Sequence, residues 1–439
     1  MTVIKRNLLL DLLSAKYPKT SPYLDIFDYL QFDLNTRIYS YGEHIGSPHE
    51  GKKTKYQSSV AALKQTLYNL YLKVNKENSL QADFNIMSSA YFSLENIFTD
   101  SGINVISPPW MFGKRNVIYD KELFDATNGI KAILATGDFK TLLSEKFHQS
   151  VLTFRSLFKE YILANNVKAL FIPQDITFFE KLSIDLLREL GLPTFNFIHG
   201  LPGLYNSTDY NRTDYLVVWG NAIKHNFVKG GIPESKIIVN GHPKYSGIQH
   251  SPTLRFELEN VLILTKSTLG SQFSEDIIRS DRGNLIYYLE SIKSVLVSLG
   301  VSKATVRLHP SANALWYKKF VDTSFFKFDQ SDLMETLGRT TLVIGCTSTV
   351  FLESLMAGVN YVVYEPEIEK GLLVDYLKSV PPFDGSDSNV PVAKNIDTLR
   401  TLLKEKVKVN TKVLTDYIAQ SYDTGMIMDI IKIHSDKRD

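Results

Sequence analysis

The chain has 439 residues, 44% of them hydrophobic and 12% aromatic, with 49 Lys and Arg against 47 Asp and Glu and a single cysteine, Cys346. At roughly 150 residues per domain this is enough for two or three domains with sizeable cores. A net charge of +2 excludes a protein that coats nucleic acid by bulk attraction, and one cysteine excludes a disulfide framework or a Cys-rich metal centre.

The N-terminal run MTVIKRNLLLDLL has a basic end and a short apolar stretch that Asp11 interrupts, with no small-residue cleavage site after it. No uncharged apolar stretch approaches the length of a membrane span. The expected location is cytoplasmic, with peripheral contact at the membrane left open. Residues 37–55, rich in Gly and containing Lys52, Lys53 and Lys55, read as a loop, and 56–74 as a helix.

From residue 84 the pattern changes to short apolar runs separated by helix-length segments: FNIMSSAYF (84–92), INVISPP (103–109), KAILATG (131–137), KALFIPQD (168–175), TFNFIHG (194–200) and YLVVWG (215–220). A second series follows: KIIVNGHP (236–243), NVLILTKS (260–267), TVRLHP (305–310), TLVIGCTST (341–349) and YVVYEP (361–366), with helical patterns at Asn284–Leu299 and Val350–Ala357. Strands apolar on both faces and separated by helices are what a parallel sheet covered on both sides requires. The reading is α/β, two doubly wound Rossmann-like domains: 1–245 on the acceptor side, 255–415 for nucleotide binding, and a terminal helix, 416–439, able to cross back to the first domain. The turn-rich segment 245–260 links the halves.

Polar residues cluster after these strands, where open parallel sheets bind ligands. Thr347, Ser348 and Thr349 follow an apolar strand and precede a helical pattern holding Glu353, an arrangement that suits an anion and equally suits an ordinary N-cap with a box-like Glu. His309 follows TVRL and is placed to donate to a phosphate oxygen, with Arg307 adding charge. Lys266 ends NVLILTK. His199 opens the HGLPG loop, and His242 occupies a similar strand end. Asp175, after FIPQ, suits a base or nucleophile and equally a helix cap; Glu43, Asp33 and His44 are its competitors. Phosphate-loop, GxGxxG, HExxH and GxSxG signatures are absent, and no Asp-x-Asp metal site stands out. Cys346, beside the Thr347–Thr349 segment, is expected to serve packing.

With RLHP at 307–310, GCTSTVFLES at 345–354 and NGHPKY at 240–245, the chain resembles GT-B glycosyltransferases of bacterial capsule and lipopolysaccharide biosynthesis of the His-Pro type, including Kdo transferases and sialyltransferases that use CMP-activated sugars. The resemblance implies a GT-B-like fold whose two domains face an interdomain cleft. It also implies transfer of a sugar, first of all Kdo from CMP-Kdo, onto a saccharide or lipid-linked saccharide acceptor. It places His309, Ser348 and Thr349 on the donor phosphate, Glu353 in the supporting helix and Glu365 near the ribose or base. No resident cofactor or metal and no nucleic-acid partner is expected. The same outline is similar to CDP-alditol phosphotransferases and some UDP-sugar enzymes, and a non-catalytic sugar-nucleotide binding module is the alternative outside enzymes. GEHIG at 42–46 departs from the acidic pair of sialyltransferases. Two mechanisms follow: a retaining one with Asp175 as nucleophile, the first preference, and an inverting one with Glu43 as base.

Overall fold

The computed structural model describes residues 23–34, 84–91, 102–111, 117–136, 138–207, 210–247, 253–266, 275–309, 314–366 and 379–436, with a few isolated positions besides. Glu43, His44, the lysines of 52–55, the expected helix 56–74 and Pro310 lie outside the described residues.

Strands β1 (Phe84–Ser88), β2 (Ile103–Ile106), β3 (Val167–Ile172), β4 (Thr194–Phe197), β5 (Tyr215–Val218) and β6 (Ile237–Val239) form one parallel sheet in the order β2-β1-β3-β4-β5-β6. Strands β7 (Val261–Leu264), β8 (Ala304–Arg307), β9 (Phe326–Phe328), β10 (Leu342–Gly345), β11 (Asn360–Tyr364) and β12 (Val392–Ala393) form a second, also parallel, in the order β12-β11-β10-β7-β8-β9. The expected α/β class, two doubly wound Rossmann-like parallel sheets, is borne out. The central strands are buried at every position, as in Thr194–Phe197, Val261–Leu264 and Leu342–Gly345, which is why they read as continuous apolar runs rather than alternating ones.

One expected strand is a helix. KAILATG closes the helix Lys121–Thr136, because Leu123, Thr127 and Ile130 upstream already lie on one buried face at helical spacing and the apolar run continues that face. Two strands were not anticipated: β9 and β12 have three and two residues, too few for a periodicity to register.

The core explains how the halves are joined. One cluster holds Ile198, Leu216, Val218 and Trp219 together with Leu262, Val343, Phe351 and Tyr361, so residues from both sheets share one apolar interior. Past the helices Ile396–Lys404 and Lys412–Tyr417, the last helix, Thr424–Asp436, buries Ile427 and Ile431 against Ile86, Phe171, Phe195 and Val217 of the first sheet. Each such buried aliphatic side chain contributes about 1.5–3 kcal/mol of transfer free energy. Asn240 holds the entry to that helix, accepting from the Asp423 amide at 2.9 Å and donating to the Asp423 carbonyl at 2.9 Å. No helix among the described residues is long and apolar enough to cross a membrane.

Candidate functional site

In each sheet the strand order reverses at one place, β1/β3 in the first and β7/β10 in the second. Ligands of doubly wound sheets sit in the crevice outside the carboxyl ends of the strands at such reversals. At the second reversal Thr265 and Lys266 leave β7, and Cys346 to Thr349 leave β10. The Thr265 hydroxyl accepts from the His309 amide at 3.1 Å, which fixes the turn that presents the exposed imidazole of His309. Partial burial lowers the pKa of that ring below the ordinary histidine value.

The β10 turn is built tightly. Tyr361 donates its hydroxyl to the Cys346 carbonyl at 2.6 Å, and a Cβ on Gly345 would lie 2.0 Å from that hydroxyl, so only glycine fits. Cys346 is fully buried and burial pushes its thiol up to about 12, consistent with a packing role. Glu365, 6% exposed, accepts on one oxygen from the Thr347 amide and hydroxyl, each at 2.6 Å, while the other pairs with Lys266. Glu365 thus sets the shape of the turn, and its carboxylate is engaged by protein where the resemblance had placed ribose or base contacts.

The capping-box alternative does not form. Thr349, ahead of the helix Val350–Met356, makes no side-chain cap; its hydroxyl instead accepts from the Leu201 amide of the HGLPG loop at 3.0 Å. Gly200 lets the loop approach, since a Cβ there would stand 2.9 Å from Thr349 Oγ1. The Ser348 hydroxyl accepts from the Val350 amide at 3.2 Å. Glu353, 7% exposed, reaches across to the NGHPKY segment, where it pairs with Lys244 and accepts from the Tyr245 hydroxyl at 3.2 Å. Arg307 is turned elsewhere: its guanidinium donates to Asp329 at 2.9 Å and the Ser331 carbonyl at 2.6 Å.

On the first sheet His199 is exposed, with its Nδ1 3.5 Å from the Pro173 carbonyl and its ring centroid 4.7 Å from that of Tyr91. Burial on its inner side lowers its pKa, which favours the neutral imidazole. With the proton on Nδ1, facing Pro173, Nε2 carries the lone pair. His242 is structural: buried against Trp219 and Tyr245, it accepts on Nδ1 from the Lys244 amide at 3.1 Å, and burial pushes it down to about 4.

Asp175 is 2% exposed, and its Oδ2 accepts from the Arg212 amide at 2.8 Å. Around it lies a charge cluster in which Arg212 pairs with Asp28 and Asp185, and Lys181 donates to the Asp28 carbonyl at 3.0 Å. Glu180, unmarked by any motif, sits in the first turn of the helix Phe178–Glu189. Burial, with Asp33 and Asp175 nearby, pushes its carboxyl up to about 7. The structure thus brings Lys266, His309, Thr347, Ser348, Thr349 and Glu365 to one sheet end and His199 to the loop touching it. It separates Arg307 and Asp175 from that group by giving them other partners. Among the described residues no group of three or more His, Cys, Asp or Glu is arranged to hold a metal.

No protein-family model matches the chain, and no curated protein matches it. Among solved structures it is similar to UDP-GlcNAc 2-epimerase of Methanocaldococcus jannaschii in complex with UDP-GlcNAc and UDP, at 12% identity and a TM-score of 0.44 over 80% of this chain and 99% of that one. It is similar to the lipopolysaccharide outer core galactosyltransferase WaaB at 12% identity and 0.39, over 81% and 99%. It is also similar to the wall teichoic acid polymerase TagF at 10% identity and 0.41, over 87% and 97%. At this level of identity and overlap the likeness carries no residue role.

Proposed function

We propose that the protein is a nucleotide-sugar-dependent glycosyltransferase that takes a CMP-linked sugar, Kdo in the first instance, and transfers it to a saccharide or lipid-linked saccharide acceptor. The observation that carries this reading is the 3.0 Å bond from the Leu201 amide to Thr349 Oγ1. It joins the loop of an exposed, neutral histidine on the first sheet to the hydroxyl-rich turn at the reversal point of the second. A base and an anion cradle on facing domains are what group transfer from a nucleotide requires. The cytidine assignment rests on the resemblance of 307–310 and 345–354.

In the proposed reaction an acceptor hydroxyl attacks the anomeric carbon while its proton passes to Nε2 of His199, and the bond from that carbon to the phosphate oxygen breaks. The charge gathering on the departing CMP phosphate is met by the His309 ring and by the hydroxyls and amides of Ser348 and Thr349, the Thr347 donors being taken up by Glu365. This is an inverting scheme with His199 as base in the place of Glu43, which lies outside the described residues, supported by the exposure of His199 and the prior engagement of Asp175. The proposal includes a cytoplasmic location, with peripheral contact at the membrane face where a lipid-linked acceptor would be met. The test is a donor screen with the purified chain: CMP released from CMP-Kdo and none from UDP-sugars is the expected result. Exclusive use of a UDP-sugar overturns the donor assignment, and no turnover of any nucleotide sugar overturns the class.

A further inference from the structure

We propose that Tyr91 is the platform of a pyranose-binding subsite for the acceptor, opening at the β1/β3 reversal of the first sheet beside His199. The inference deepens the transferase reading and rests on it for the word acceptor. The strand order β2-β1-β3 sends the chain away from β1 on one side and brings it back on the other, and outside the strand ends at such a reversal is where doubly wound sheets hold their ligands. Ser89 crosses this place, its amide donating to the Phe171 carbonyl at 2.9 Å. Tyr91 follows two residues later with 66% of its surface in water.

A large ring left that exposed at a strand end calls for a ligand more than a scattered surface aliphatic does. It is also held in place: the His199 ring packs against it at 4.7 Å and 77° between planes, an edge-to-face pair. A platform so fixed loses little rotamer freedom when a ligand covers it. A second observation comes from Ser89, which is 5% exposed and whose hydroxyl has no hydrogen-bond partner among the described residues. A buried orphan hydroxyl at a strand end is uncommon enough to ask what would satisfy it.

A pyranose suits both features, since one face presents C–H groups to an aromatic ring and its rim presents hydroxyls that would satisfy Ser89 if a small side-chain shift uncovers that oxygen. The position also fits the reaction: a sugar lying on Tyr91 has a hydroxyl within reach of the imidazole that Tyr91 touches. A nucleobase would stack on the same ring, and the test separates the two.

The experiment is saturation-transfer NMR of methyl pyranosides of galactose, glucose, N-acetylglucosamine and Kdo, and of cytidine, with the full chain, alongside calorimetric titration of CMP. At least one pyranoside is expected to receive saturation, strongest at its ring C–H protons. That signal should fall roughly five- to tenfold in Tyr91→Ala and persist in Tyr91→Trp, with CMP affinity unchanged in both. The proposal is overturned if no pyranoside is seen by the wild-type chain, if Tyr91→Ala leaves the signal intact, or if only cytidine depends on Tyr91. Saccharide signals that depend on Tyr91 in a chain that binds no CMP would sustain the platform and sink the donor reading instead.

Discussion

At the end of β10, Thr347, Ser348 and Thr349 are half-buried and held by groups that leave the turn open at the sheet end, with Glu365 fixing one side and the Leu201 amide meeting the other. At the end of β3, in the corresponding place of the other sheet, Asp175 is sealed in, bonded to the Arg212 amide and surrounded by the Asp28, Lys181 and Asp185 charges. Both segments read alike in sequence, a polar cluster after an apolar strand. The difference is in what the polar atoms are given to do. A strand-end carboxylate with a backbone donor and a buried surround already has a structural task, whereas half-buried hydroxyls and a ring left in water are the groups that the proposed donor would meet.

The contrast can be broken at several points. The largest effect is expected at His199: in His199→Ala, kcat falls roughly 10²–10⁴-fold with CMP affinity unchanged. In the wild type, kcat rises with pH through a value below the ordinary histidine pKa, because the base acts in its neutral form and burial lowers that value. Steady-state kinetics across pH checks both, and a small loss in the variant would move the base elsewhere.

Asp175→Ala comes next. Removing a buried carboxylate leaves the Arg212 amide without its charged acceptor, at a cost of about 3 kcal/mol, read by chemical denaturation. Asp175→Asn keeps an acceptor oxygen and should retain most turnover. A folded Asn variant with no turnover would restore Asp175 as a nucleophile.

Glu180 gives the smaller, pH-linked effect. Its carboxyl, about 7 when folded against an ordinary 4.5, keeps its proton in the folded chain after the unfolded chain has lost it. Stability from this group therefore falls as pH rises from about 4.5 to 7, by up to about 3 kcal/mol, and stays lower above. Glu180→Gln should remove that fall and raise the melting temperature at pH 8, with little change at pH 4. Parallel pH profiles for the two chains would show that the group is not desolvated in this way.

The fold was largely legible because strands buried on both faces leave runs such as VLIL and LVIG that no exposed element would carry. KAILATG misled because a short apolar run fits a strand or a helix face alike, and β9 and β12 are too short to leave a pattern. At the site, residue types at strand ends could be read, but their partners could not. Thr349 meets a backbone amide 148 residues away and Glu353 a lysine 109 residues away; Arg307 is taken up by Asp329, just past the end of the neighbouring strand β9. The first two pairings are created by the packing of the two sheets and the third by the pairing of β8 with β9, and no local spacing announces them. Glu180 was missed for the same reason: its perturbation comes from burial beside Asp33 and Asp175, which only the folded chain brings together.

The nucleotide cradle proposed at the second sheet's reversal point is tested by calorimetric titration of CMP into the wild-type chain and His309→Ala. The expected result is one CMP per chain, bound roughly tenfold or more weakly by the variant, as loss of a hydrogen bond to a charged phosphate implies. No binding to the wild type, or equal binding by both chains, would contradict it.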